Sequence, residues 1–169
     1  MSHILLTSFQ TWLPHQKSNS SDDLLEEVVK LDSLPHTLTF LRQLPVDISQ
    51  ASELAIAKIN ELQPDIIICC GMAESRRQLS VESNARNGSR VLNTPVDLDK
   101  LLQGLVKTTL SHDAGKFVCE GLYYSVLNHL QKNEFKKHGI FVHVPVLTQN
   151  NIAEILTDFT LIMHRLTAL

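Results

Sequence analysis

Two apolar runs leave this chain few architectures. Ile66-Ile67-Ile68-Cys69-Cys70-Gly71 carries no charged side chain, and Ile140-Phe141-Val142-His143-Val144 is apolar at all but one position. A strand with one wet face alternates apolar and polar residues. A run that is apolar throughout is covered on both faces, which is the pattern of a parallel sheet sandwiched between helices. The segments between supply those helices. Leucine and valine recur at helical spacing through residues 22–31, behind Ser20 and Ser21 as cap candidates and with acids in the first turn. Residues 49–62 carry a stripe of Leu54, Ala55, Ala57, Ile59 and Leu62 and stop at Pro64. Residues 116–130 put Val118, Leu122, Tyr123, Val126, Leu127 and Leu130 on one face, and residues 150–166 form another amphipathic stretch. Short β-rich runs at 4–7 and 37–41 add strands. Residues 72–110 are less regular: 82–90 reads as a polar surface or site loop, and 97–110 as holding a short helix. Strands separated by helices imply right-handed crossovers. The fold class predicted is α/β, a single domain over residues 1–169 with an open twisted, mostly parallel sheet flanked by helices in three layers.

Composition removes several function classes. The chain has 169 residues, 43% hydrophobic and 20% charged, with a net charge of −3. There is no basic stripe, so nucleic acid is not an expected partner. No apolar run reaches the ~20 residues of a membrane span, so no membrane partner is expected. The N-terminal residues read as a first strand rather than a signal peptide. Three cysteines, Cys69, Cys70 and Cys119, cannot all pair within the chain, and two adjacent cysteines are poor disulfide partners. That suits a reducing, cytoplasmic setting. No His/Cys spacing suggests a metal and no glycine-rich loop suggests a nucleotide, so no cofactor is expected.

The chemistry concentrates at Cys119 and His143. Cys119 follows a glycine-marked turn, Asp113-Ala114-Gly115, at the start of the helix predicted over 116–130. First-turn N–H groups are unpaired, and the dipole there favours a thiolate and could also hold an oxyanion. Glu120 opposes this, because a neighbouring anion raises a thiol pKa. His143 closes an apolar strand and shares a face with Phe141, so it is a candidate base. His112 is nearer in sequence and is the rival. A lone cysteine is more often a small core residue, and a strand histidine more often a satisfied core group. Glu82, Arg76 and Arg77 read, by themselves, as surface charges.

Three segments taken together resemble the pyroglutamyl peptidase type I family (pyrrolidone-carboxylate peptidases). They are Gly71-Met72-Ala73-Glu74-Ser75-Arg76 followed by Val81-Glu82-Ser83-Asn84-Ala85-Arg86-Asn87, Ser111 through Cys119, and Val142-His143-Val144-Pro145. Leu5-Leu6-Thr7-Ser8-Phe9 is similar to the family's opening segment. The resemblance implies a phosphorylase/hydrolase-like sheet and a cysteine exopeptidase that removes N-terminal pyroglutamate from small peptides through a thioester. It implies Cys119, His143 and Glu82 as the catalytic set. It also implies Phe9, Phe117, Gly71, Met72 and Arg90 as substrate-binding positions, Arg90 on the oxyanion side, and a possible homo-oligomer. The chain departs from the family at Ser8-Phe9-Gln10-Thr11-Trp12-Leu13-Pro14. It departs again at Glu74-Ser75 in place of a glycine pair, at Glu120, and in a shortened stretch after Asn87. Those departures keep two alternatives open: a cysteine hydrolase of another small amide or ester, or a catalytically inert relative acting as a binding protein.

Overall fold

The computed structural model describes residues 1–32, 34–134 and 136–169. The elements in chain order are β1 (His3–Phe9), α1 (Ser20–Val29), β2 (Thr37–Leu44), α2 (Ile48–Leu62), β3 (Ile66–Met72), β4 (Leu79–Glu82), β5 (Asn84–Asn87), β6 (Arg90–Asn93), α3 (Leu98–Leu102), β7 (Thr108–Ser111), α4 (Val118–Lys132), β8 (His138–Val144) and α5 (Ile152–Leu166).

Six strands form one sheet in the order β2-β1-β3-β8-β4-β7, and β5 and β6 form a separate hairpin. β1, β2, β3 and β8 run parallel; β4 pairs antiparallel with β8, and β7 parallel with β4. The sheet is mostly parallel, as the apolar runs predict. Alternation along each strand divides the core. Ile4, Leu6, Ile66, Ile68, Cys70, Ile140, Val142 and Val144 face one way, onto Leu24, Leu25 and Val28 of α1 and Ile155, Phe159 and Ile162 of α5. Leu5, Phe9, Ile67, Cys69 and Phe141 face the other way, onto Ala51, Ala55 and Ile59 of α2 and Leu122, Tyr123 and Val126 of α4. Among the described residues, no helix is long and apolar enough to cross a membrane.

The irregular stretch is more ordered than its sequence suggests. Residues 72–110 hold four strands and the short α3, and the polar segment 82–90 contains the end of β4 and most of the hairpin. Each of these strands has four residues. A run that short holds too few alternations to stand out, and β4 and β7 have their partners far away in the chain. The cap of α1 also differs. Asn19 accepts the Ser21 N–H, while Ser20 and Ser21 are the first helical residues, and their hydroxyls bond the Val144 carbonyl and Asn19 Oδ1.

Candidate active site

Parallel strands β3 and β8 end side by side, with Gly71 opposite His143. The alternation that sends Val142 and Val144 to the α1/α5 side sends Phe141 and His143 to the α4 side. β4 arrives antiparallel, setting Ser80 opposite His143 and Glu82 opposite Phe141. Glu82 and His143 are therefore diagonal neighbours on one face, within reach of each other's side chains. His143 Nδ1 lies 2.7 Å from Glu82 Oε1. Arg76 Nη1 donates to the same oxygen at 2.6 Å, and its Nη2 donates to the Asp113 carbonyl at 2.9 Å. Arg76 thus links the carboxylate to the turn that leads into α4.

Glu82 is fully buried. Burial alone would raise its pKa, but the hydrogen bonds to His143 and Arg76, with the nearby Ser111 hydroxyl, outweigh that and leave it below the ordinary glutamate value. Ser111 Oγ itself donates to the Asp113 carbonyl at 3.3 Å, and among the described residues Glu82 Oε2 has no hydrogen-bond partner. An ionised Glu82 fixes the histidine tautomer: Nδ1–H donates to the carboxylate, and Nε2 is left as the basic nitrogen. The ring also packs on Phe141, with centroids 4.9 Å apart. Tyr123 holds the strand beneath through its hydroxyl on the Glu82 carbonyl at 2.9 Å.

Cys119 is the second residue of α4. Phe117 stands at the N-cap and provides no side-chain acceptor, so the first-turn N–H groups of Val118 and Cys119 have neither an intrahelical partner nor a cap. The sulfur rests on Gly71: a Cβ added there would lie 2.5 Å from Cys119 Sγ and 2.9 Å from Phe141 Cζ. Only glycine admits the thiol at this place. The residue as a whole is partly exposed. Desolvation, then the Glu82 charge and Cys69, push the thiol up to about 12, and Arg76 offsets only part of the rise. At that value the resting group is a neutral thiol, against the lowered pKa expected of a helix start. Glu120 is not the cause, because its carboxylate accepts the Arg86 N–H at 3.1 Å on the hairpin.

Cys119 and His143 border one cleft of about 390 Å³, together with Phe9, Met72, Phe117 and Val118. Among the described residues, no hydrogen bond joins the sulfur to the ring in the free protein. Phe9 is buried and Phe117 about half exposed, so one presents a fixed wall and the other an open one. Arg90 is not brought here. It pairs with Asn87 across the tight β5–β6 turn, and is exposed and absent from the cleft lining. Rival base His112 is also elsewhere, exposed and 2.7 Å from Ser83 Oγ. The sequence reading missed Trp12, Gln16 and Glu74, which also line the cleft. Trp12 is the chain's single tryptophan and falls in the segment where the opening motif breaks down, which was the available signal. Among the described residues, no cluster of three or more His, Cys, Asp or Glu side chains is placed to hold a metal.

Known proteins share this arrangement of elements. The crystal structure of Bacillus amyloliquefaciens pyroglutamyl peptidase I superposes with a TM-score of 0.87 at 18% identity, covering 100% of this chain and 98% of that one. A mutant (E192I) pyrrolidone carboxyl peptidase from the hyperthermophile Pyrococcus furiosus gives a TM-score of 0.84 at 19% identity, with 98% of each chain covered. In sequence, the chain is 26% identical over 175 residues to a pyrrolidone-carboxylate peptidase of Brevibacillus brevis, covering 88% of this chain and 80% of the relative. A Bacillus cereus pyrrolidone-carboxylate peptidase is 30% identical over 134 residues, 64% of this chain and 62% of that protein. The family model described as pyroglutamyl peptidase matches residues 2–95 and 93–164. With nearly the whole length matched, the chain belongs to the pyroglutamyl peptidase family, a family of cysteine peptidases.

Proposed function

We propose that the protein is a cysteine exopeptidase that removes N-terminal pyroglutamate from small peptides, with Cys119 as nucleophile, His143 as general base and acid, and Glu82 as the group that holds the imidazole. The observation that carries this reading is the Glu82–His143 contact of 2.7 Å at the edge of a cleft that Cys119 also lines.

The chemistry starts from a neutral thiol. A substrate carbonyl enters beside Cys119; His143 Nε2 takes the thiol proton as the sulfur forms its bond to carbon. The imidazolium is stabilised by the Glu82 carboxylate on the other nitrogen. Oxygen charge in the tetrahedral intermediate is held by the uncapped N–H groups at the start of α4. The C–N bond then breaks, and the leaving amine takes the proton from Nε2. Water attacks the thioester, His143 accepts its proton, and the departing sulfur recovers it as the acid leaves. Phe9, Met72 and Phe117 supply the apolar walls for the uncharged lactam ring.

Release of a fluorescent amine from a pyroglutamyl amide, lost in Cys119→Ser, is the expected result. A folded wild-type protein with no turnover contradicts the reading. The second reading, the same chemistry on another small amide or ester, is favoured by Trp12 and Leu13 in the cleft wall. It is selected if such a substrate outcompetes every pyroglutamyl amide. Three free cysteines fit a cytoplasmic home. Assembly into a homo-oligomer is read from the mass in solution.

A further inference from the structure

The outer wall of the cleft is built by side-chain bonds between two connections that are distant in sequence. Gln16 sits at the centre. Its Oε1 accepts the backbone N–H groups of Trp12 at 3.1 Å and Leu13 at 3.2 Å. Its Nε2 donates to Glu74 Oε1 at 3.2 Å. His15 Nε2 lies 3.1 Å from the same carboxylate oxygen. Glu74 belongs to the connection from β3 to β4, so this carboxylate ties the β1–α1 connection to the sheet edge. The tied connection carries Trp12, whose ring lies 4.9 Å from that of Phe117, two residues before the nucleophile.

We propose that Glu74 and Gln16 are positioning residues. They hold Trp12 against Phe117, and this tether sets how tightly the cleft grips the acyl group of its substrate. One carboxamide satisfies two backbone donors and passes its own donor to a carboxylate that His15 also meets, so the loop's position depends on Glu74 and on Gln16, which relays it to the backbone. Cys119, His143 and Glu82 stand on α4, β8 and β4, and among the described residues none of their side chains hydrogen-bonds the loop. Loosening it therefore weakens binding while leaving the chemical step intact, which appears as a rise in KM at constant kcat.

The nature of the gripped group rests on the pyroglutamyl reading; the tether itself does not. The test uses the full chain, Glu74→Ala, Gln16→Ala and Glu74→Gln. Trp12 is the only tryptophan, so acrylamide quenching of its emission reports this loop directly. Both alanine variants are expected to quench more readily. They are also expected to raise KM for a pyroglutamyl amide, and Kd for pyroglutamic acid amide, by about five-fold or more, with kcat within about two-fold of wild type. Glu74→Gln keeps an acceptor oxygen for Gln16 and is expected to restore most of both signals. Unchanged quenching in both alanine variants overturns the tether. Raised quenching with unchanged KM and Kd overturns its role in gripping substrate. A wild-type protein that neither cleaves nor binds pyroglutamyl compounds overturns the function proposed above and the grip with it, while the quenching alone still decides the tether.

Discussion

The two faces of the sheet are made from the same strands and do different work. Toward α1 and α5, Cys70, Val81, Val142 and Val144 join an apolar cluster with Phe159 and Ile162. Toward α4, the neighbours of those residues are Gly71, Glu82 and His143, with Cys119 lying against Gly71. On β8 the change of role takes one residue, from Val142 to His143. The period of two in a strand lets packing on one side hold a polar constellation on the other. At this end of the strands, stability should therefore track the apolar face and rate the other, although both faces pack apolar cores further along.

The largest effects are expected on the reactive face. Cys119→Ser should lower kcat/KM by about 10⁴-fold or more, His143→Ala by about 10³-fold and Glu82→Gln by about 10²-fold. Melting temperatures of Cys119→Ser and His143→Ala should stay within a few degrees of wild type. Comparable losses of stability in all three would break the division. The converse substitution is Phe159→Ala, at a fully buried position on the apolar face. It should cost about 3–5 kcal/mol in urea unfolding, while the kcat of the folded fraction is unchanged. A kcat loss as large as that of Glu82→Gln would erase the comparison.

Gly71→Ala touches both properties. The new methyl meets Cys119 Sγ and Phe141, so about 1–3 kcal/mol of stability should be lost, along with at least ten-fold in kcat as the sulfur is displaced. Normal kcat in this variant would mean the sulfur does not react from where it rests.

How much of this could be read from the sequence follows the same division. The sheet showed in the β3 and β8 runs, because a strand covered on both faces needs apolar residues throughout. Cys119 and His143 stood out as candidates at element boundaries, where a polar side chain interrupts a regular pattern, although each alone reads more often as a core residue. Glu82 was not legible from its own segment. It lies in a four-residue strand among polar neighbours, and its burial is created by Arg76 and His143, which arrive from other elements. Only the family resemblance lifted it above a surface charge. Arg90 was misplaced because the shortened stretch closes as a hairpin that turns it outward. Trp12, Gln16 and Glu74 escaped because their bonds join two loops, and loop pairing leaves no periodic trace.

The thiols add a pH dependence that appears only outside the neutral range. Burial raises Cys69 to about 12 and Cys70 well above its ordinary value, while burial and the Glu82 charge raise Cys119 to about 12. A raised folded pKa gives stability that is fully present below the unfolded thiol value of about 8.5 and lost as pH climbs toward the folded one. Unfolding free energy should therefore fall above about pH 9, by up to about 1.4 kcal/mol per pH unit for each fully buried thiol. Glu82 acts in the opposite direction. Its lowered pKa gives stability present above about pH 4.3 and lost as pH falls through the folded value, and Glu82→Gln should flatten that acid limb. Urea midpoints across the pH range check both slopes. In the absence of substrate, iodoacetamide should label Cys119 slowly at neutral pH and faster through the alkaline range. A fast neutral plateau would mean that a thiolate is already present.

The central claim is that Cys119 carries the acyl group. The direct measurement is a rapid acid quench of the protein turning over an activated pyroglutamyl ester, followed by peptide mapping by mass spectrometry. One pyroglutamyl group is expected on the peptide containing Cys119, absent from Cys119→Ser. Turnover with no adduct on Cys119, or with the group on another residue, would contradict it.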